Sequence, residues 1–192
     1  MPRRGNALTK AMGRAILRLS GWRMEGEIPN LPKAVVIVVP HTSNWDFLLA
    51  IAGLFAVGVR VSWLGKNTIF KGVAGPVMEW LGGLPVDRSA SMGVVDQIVN
   101  RFNTSDKLLI GISPEGTRSK VDRWKTGFYN IALKAAVPIA PISFDWSTRV
   151  MRFGDSLMPT GDMDSDIAQL KNFFEGAVGK RPGGMAEESE AI

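Results

Sequence analysis

Residues 34–39, Ala-Val-Val-Ile-Val-Val, set six apolar side chains in unbroken succession and stop at Pro40. Side chains alternate faces along a strand, so such a run reads as a strand buried on both sides. Around it the chain alternates. Ser43 or Asn44 caps a helix running to about residue 57. Further strands are expected at 60–65, briefly at 84–86, at 107–112 and at 137–144, with an edge strand at 149–153. Helical spacing marks Val94, Val95, Ile98 and Phe102, then Phe128, Ile131, Ala132 and Ala135, then Ile167, Leu170 and Phe174. Asp162, Asp164 and Asp166 suit the N-terminal dipole of that last helix. The apolar, Gly-rich stretch 69–82 makes short helices at most. The alternation implies an α/β fold with a mostly parallel sheet flanked by helices.

The 192 residues fit one domain with a sizeable core. There is no cysteine and a single histidine, His41. A disulfide, a thiolate nucleophile, an acyl-cysteine intermediate and a multi-histidine metal site are thereby excluded. The formal charge of +5 is local. Residues 1–23 hold Arg3, Arg4, Lys10, Arg14, Arg18 and Arg23 and no acid, while the remainder has 17 bases and 18 acids. Such a distribution argues against a broad nucleic-acid face. The longest apolar run, Phe47 to Val59, has 13 residues, short of the roughly 18–20 that cross a bilayer. No typical secretory signal is present.

The basic segment has a helical period over residues 6–20. Leu8, Met12, Ala15, Ile16 and Leu19 share one face, with Lys10, Arg14 and Arg18 opposite and Trp22 following. An amphipathic helix of this kind lies in a membrane interface, attracted by anionic lipids. It is also compatible with a helix packed on the domain with a solvated basic face, or with a mitochondrial transit peptide. The expected organisation is a basic amphipathic arm over 1–23, a domain over 24–180 and a disordered Gly- and Glu-rich tail over 181–192.

Three blocks carry chemistry. The first is His41-Thr-Ser-Asn-Trp-Asp46, in the turn after the buried strand. A neutral imidazole near a carboxylate takes a proton from a hydroxyl near neutral pH. The plainer alternative is a surface or cap histidine. The second is Gly83-Leu-Pro-Val-Asp87-Arg88-Ser89, whose charge pair also fits a local turn. The third is Pro114-Glu115-Gly116-Thr117-Arg118-Ser119, directly after an apolar strand. Its glycine permits close backbone approach, its hydroxyl donates, and its guanidinium offers a planar fork. That combination suits a phosphate monoester, and equally a strand-to-loop turn with a solvated Arg.

Together with Val137-Pro138-Ile139-Ala140-Pro141, these blocks resemble, in order and rough spacing, the four motifs of the glycerolipid acyltransferases. These are the glycerol-3-phosphate and 1-acylglycerol-3-phosphate acyltransferases. Lys66, the stretch Phe70 through Trp80, and Lys125-Thr-Gly-Phe-Tyr-Asn-Ile-Ala are similar as well, so the resemblance covers about residues 34–142. It implies His41 as general base on an acceptor hydroxyl and Asp46 as the group orienting the ring, as in a serine-protease triad. It implies Arg88, Gly116, Thr117 and Arg118 as holders of the acceptor's phosphate, with Lys66 a further contact and Glu115 ordering this basic group. Pro138 would shape the floor of an acyl pocket. No metal or bound cofactor is implied. The acyl carrier, acyl-CoA or acyl carrier protein, is a co-substrate. The expected partners are that donor, a lysophospholipid acceptor and an anionic membrane surface, with no nucleic acid. The expected location is peripheral, on the cytoplasmic face of a membrane.

The chain departs from the family in having Pro85 before its charge pair and in its short length. Those departures bear on which acceptor is used. A non-catalytic lipid- or acyl-carrier-binding protein of the same fold is one competing class, and the His41–Asp46 pair counts against it. A hydrolase is another, and the chain has no Gly-x-Ser-x-Gly elbow.

Overall fold

In the computed structural model the described residues are 1–86, 93–116 and 123–181. Helix α1 (Ala7–Leu19) leads into a short strand β1 (Arg23–Glu25). The apolar run forms β2 (Lys33–Val39), followed by α2 (Asn44–Val57) and β3 (Ser62–Lys66). Residues 67–80 form two 3₁₀ turns and the six-residue α3 (Gly75–Trp80), the short helices expected of a Gly-rich stretch. Then come β4 (Gly83–Val86), α4 (Val94–Thr104), β5 (Leu108–Ile112), α5 (Gly127–Lys134), β6 (Ile139–Asp145), β7 (Val150–Phe153) and α6 (Met163–Phe173).

Among the described residues, seven strands lie in the order β1-β7-β6-β2-β5-β3-β4. Every neighbouring pair is parallel except β6–β7. Strand β2 sits in the middle, which is what its unbroken apolar run requires. Val35, Ile37 and Val39 pack into one layer with Ile98 and Phe102 of α4, Phe128 and Ile131 of α5 and Leu170 of α6. Ala34 and Val36 face the other layer, beside Leu54 and Val57 of α2. The α/β sandwich expected from the alternation is therefore the fold. The strand at 149–153 is not the sheet's edge, because β1 pairs with it. Three exposed residues, Arg-Met-Glu, gave no apolar period by which β1 could be read.

The basic segment docks on α2, but not through its apolar stripe. Its buried residues are Gly13 and Leu17. Leu17 and Trp22 join Leu49, Ala52, Ala56, Phe144 and Met151 in one buried cluster. Leu8, Met12, Ile16 and Leu19 are left exposed, Leu8 at 68% and Leu19 at 89%. Gly13 explains the choice of face, since a Cβ there would stand 2.5 Å from both the Ala52 carbonyl oxygen and the Ala56 nitrogen. Gly13→Leu is therefore expected to push the helices apart and cost about 1–3 kcal/mol. A urea or thermal midpoint equal to that of the parent chain would contradict this close approach.

Arg4 ties the segment to α3. Its guanidinium donates to the carbonyls of Trp80 at 2.6 Å and Leu81 at 3.3 Å, and lies over the rings of Phe55 and Trp80. No described helix is long and apolar enough to cross a membrane. The expected tail lies, beyond Arg181, outside the described residues.

Candidate functional site

In an open parallel sheet, loops at the carboxyl ends of adjacent strands form a crevice where their connections leave for opposite faces. Strands β2 and β5 are such a pair. The chain leaves β2 into α2 on one face, and leaves β5 toward α5 on the other. His41 lies two residues past β2, and Ser113 to Gly116 follow β5.

The two loops are joined directly. The backbone N–H of His41 donates to Oε2 of Glu115 at 2.7 Å, and the Ser113 hydroxyl donates to the same oxygen at 3.4 Å. Burial raises the Glu115 carboxyl above the usual range, the His41 N–H and Ser113 hydroxyl oppose this, and the charge of Asp46 adds to it.

Asp46 is placed by the start of α2. Ser43 is the N-cap, and Asp46 stands at the third helical position, closing a capping box. Its Oδ2 accepts from Thr42 N–H at 2.8 Å and Ser43 N–H at 2.7 Å. Its Oδ1 accepts from the indole Nε1–H of Trp146 at 2.7 Å. The carboxylate is 1% exposed, and Nδ1 of His41 lies 3.6 Å from Oδ2. His41 is 26% exposed. Nδ1 thus faces a fixed carboxylate.

His41, Asp46, Ser113, Gly116 and Lys125 line the mouth of a cavity of about 970 Å³, at the upper end of ordinary ligand pockets. Its body is apolar. It passes Phe47, Ile51 and Leu54 of α2 and Val36 and Val38 of the sheet, and reaches Leu31 and Ile28. Gly116 has φ +63°, and a Cβ there would stand 2.6–2.9 Å from the Lys125 side chain. Glycine thereby lets Lys125 lie against this loop. Among the described residues, no cluster of three or more His, Asp or Glu could hold a metal ion.

Of the residues singled out in the sequence, His41, Asp46, Glu115 and Gly116 converge at this mouth. Glu115 meets the backbone of His41 there. Lys66 ends β3 at the same edge of the sheet. Arg88, Thr117 and Arg118 lie outside the described residues. Pro138 precedes β6 and its carbonyl accepts from Val35 N–H, while the cavity wall takes Ala140, Pro141 and Ile142 from that strand. Pro138 thus sits at the amino end of β6, toward the end of the cavity marked by Leu31 and Ile28. The sequence marks no site role for two residues of the site, Lys125 and Trp146. Lys125 stands in it only as the start of the family-like stretch 125–132. Trp146 directly follows β6, and its role becomes legible only once the sheet order sets β6 beside β2.

A family model described as Acyltransferase matches residues 24–145. A chloroplastic 1-acyl-sn-glycerol-3-phosphate acyltransferase of Brassica napus is 30% identical over 142 residues, 71% of this chain and 41% of that protein. The 1-acyl-sn-glycerol-3-phosphate acyltransferase of Haemophilus influenzae is 28% identical over 134 residues, 65% of this chain and 54% of its own length. The chain spans about half the length of these curated relatives. Among solved structures, the 1-acyl-sn-glycerophosphate acyltransferase PlsC from Thermotoga maritima aligns with a TM-score of 0.60 at 19% identity. That alignment covers 88% of this chain and 78% of the other, a likeness of fold.

Proposed function

Given that this chain belongs to the acyltransferase family whose model matches residues 24–145, we propose that it moves a fatty acyl group from acyl-CoA or acyl carrier protein to a lysophospholipid hydroxyl. The acceptor is 1-acylglycerol-3-phosphate, and the product is phosphatidic acid. The observation that carries this reading is the His41–Asp46 pair at the mouth of a large apolar cavity. A fatty chain in that cavity would gain about 0.8 kcal/mol per buried methylene.

In this reading the acceptor hydroxyl attacks the thioester carbonyl while His41 Nε2 takes its proton. The new C–O bond forms, the tetrahedral centre collapses, the C–S bond breaks, and the imidazolium returns the proton to the leaving thiolate. Asp46 steadies the imidazolium through Nδ1. Arg88, Gly116, Thr117 and Arg118 hold the acceptor's phosphate, with Lys66 assisting, and Glu115 holds the His41 loop by its backbone. The acyl carrier is a substrate, and no bound cofactor or metal enters the reaction. The relatives' names support this acceptor.

The direct test supplies acyl-CoA or acyl carrier protein with lysophosphatidate and follows phosphatidate and free thiol. Equal amounts of both are expected. Thiol and free fatty acid without acceptor would make the protein a thioesterase. Tight lipid binding with no turnover would make it a binder.

The protein docks peripherally on the cytoplasmic face of an anionic membrane. Supporting this, the apolar stripe of α1 is exposed while Arg14 and Arg18 flank it in solvent. Ile69, Val73, Val77 and Trp80 are exposed as well, on the segment that Arg4 ties to the start of α1. Deleting residues 1–23 would also remove Leu17 and Trp22 from the core, so point changes are the cleaner test. Leu8→Gln with Leu19→Gln is expected to weaken binding to anionic vesicles by ten-fold or more, since each leucine contributes about 1.5–3 kcal/mol when buried in lipid. Raised salt weakens binding only partly, because screening acts on the charge alone. Equal vesicle sedimentation of variant and parent would rule the stripe out as the anchor.

A further inference from the structure

An indole with no direct part in the acyl transfer described above meets the buried Asp46 carboxylate. Thr42 and Ser43 N–H groups occupy Oδ2 of Asp46, the oxygen nearest His41. The Trp146 indole takes Oδ1, at 2.7 Å and from 100 residues away. A carboxylate pivots about its Cβ–Cγ bond. Holding one oxygen from the far side therefore sets the angle at which the other faces the imidazole.

Trp146 is itself held by several contacts. Its ring meets Trp22 edge-on at 5.0 Å and 84°. Its backbone N–H donates to the Val178 carbonyl at 2.8 Å. The ammonium of Lys180 lies 4.8 Å from its ring centroid and 4.3 Å from that of Trp45, distances at which a cation is attracted to an aromatic face. The chain from Val178 to Arg181 thus passes over the ring and reaches the His41 loop. A Cβ on Gly179 would come within 2.7 Å of the Thr42 side chain, and Arg181 N–H donates to the Thr42 hydroxyl at 3.3 Å. Asp145 anchors the start of this clasp by accepting from Val178 N–H at 3.2 Å. Burial raises its carboxyl, but hydrogen bonds from Thr148, Ser147 and Val178 bring it down to about 2, so the anchor stays ionised at working pH.

We propose that Trp146 is a positioning residue for acyl transfer, fixing the angle of the Asp46 carboxylate toward His41 through its indole N–H, and that residues 178–181 clasp it in place. This rests on the acyl-transfer reading of the site.

Trp146→Phe keeps an aromatic ring against Trp22 and removes the N–H. Its kcat for phosphatidate formation is expected to fall about ten-fold or more, the effect of losing a charge-assisted hydrogen bond, with both Michaelis constants within about two-fold. In an Asp46→Asn background the same change is expected to cost less than about two-fold, because the carboxylate it orients is gone. Unchanged kcat overturns the proposal. So does an equal loss in both backgrounds, which marks a packing role. Should Trp146→Phe not fold, Lys180→Ala reads the clasp, with kcat expected to drop about two-fold or more at constant Michaelis constants; full kcat there overturns the clasp. Wild-type turnover is measured first, and its absence fails the acyl-transfer reading. The indole N–H resonance of Trp146 reports the contact independently by shifting in Asp46→Asn, and an unmoved resonance overturns the contact whatever the reaction.

Discussion

His41→Ala is expected to leave a folded protein whose acyl transfer falls by about 10²–10⁴-fold at neutral pH, the usual cost of losing a general base. The chain offers no second imidazole. The fold should survive because the contact by which residue 41 ties the two loops together is its backbone N–H on Glu115, which alanine keeps. The side chain is a quarter exposed, and removing it opens no closed core. A melting temperature within a few degrees of the parent, beside the lost rate, is the expected pair of measurements. Near-full turnover would place the base elsewhere.

Asp46 behaves differently, and the structure changes what its substitution should show. The sequence gives reason to expect that Asp46→Ala folds as His41→Ala does. In the structure the carboxylate is buried and accepts from three donors: Thr42 N–H, Ser43 N–H and the Trp146 indole. Alanine leaves all three without an acceptor, and a buried donor left unpaired costs about 1–3 kcal/mol. Asp46→Ala is therefore expected to lose about 3 kcal/mol or more of stability together with activity. Asp46→Asn keeps the shape and one acceptor oxygen. It is expected to fold, while losing about 10²–10⁴ in kcat because a neutral amide does not stabilise the imidazolium. Denaturant titrations of the two variants beside their rates separate the roles. An alanine variant as stable as the parent would mean that the carboxylate does not hold this loop.

The elements legible in the sequence were those whose own side chains state their surroundings. Ala34–Val39 is apolar at every position because both faces are covered, and Ser43 before an apolar run marks the start of α2. The pairing of His41 with Asp46 follows from the same turn, as does the meeting of the third block with it, since β5 lies beside β2. What stayed hidden depends on neighbours that no local pattern encodes. β1 has no apolar signal and exists because β7 presents an edge. The period of α1 was readable, but not the face it buries, because Gly13 chooses that face by admitting the α2 backbone. Trp146 reaches Asp46 only through the strand order.

In the proposed reaction the nucleophile belongs to the acceptor, with His41 as its base and no acyl group held by the protein. Intact-mass spectrometry of the protein with acyl thioester alone, alongside thiol release before and after lysophosphatidate is added, tests it most directly. The expected result is no mass increase and no thiol without acceptor, then one thiol per phosphatidate formed once acceptor is present. A protein heavier by one acyl group, with a matching burst of thiol before acceptor is added, would contradict it.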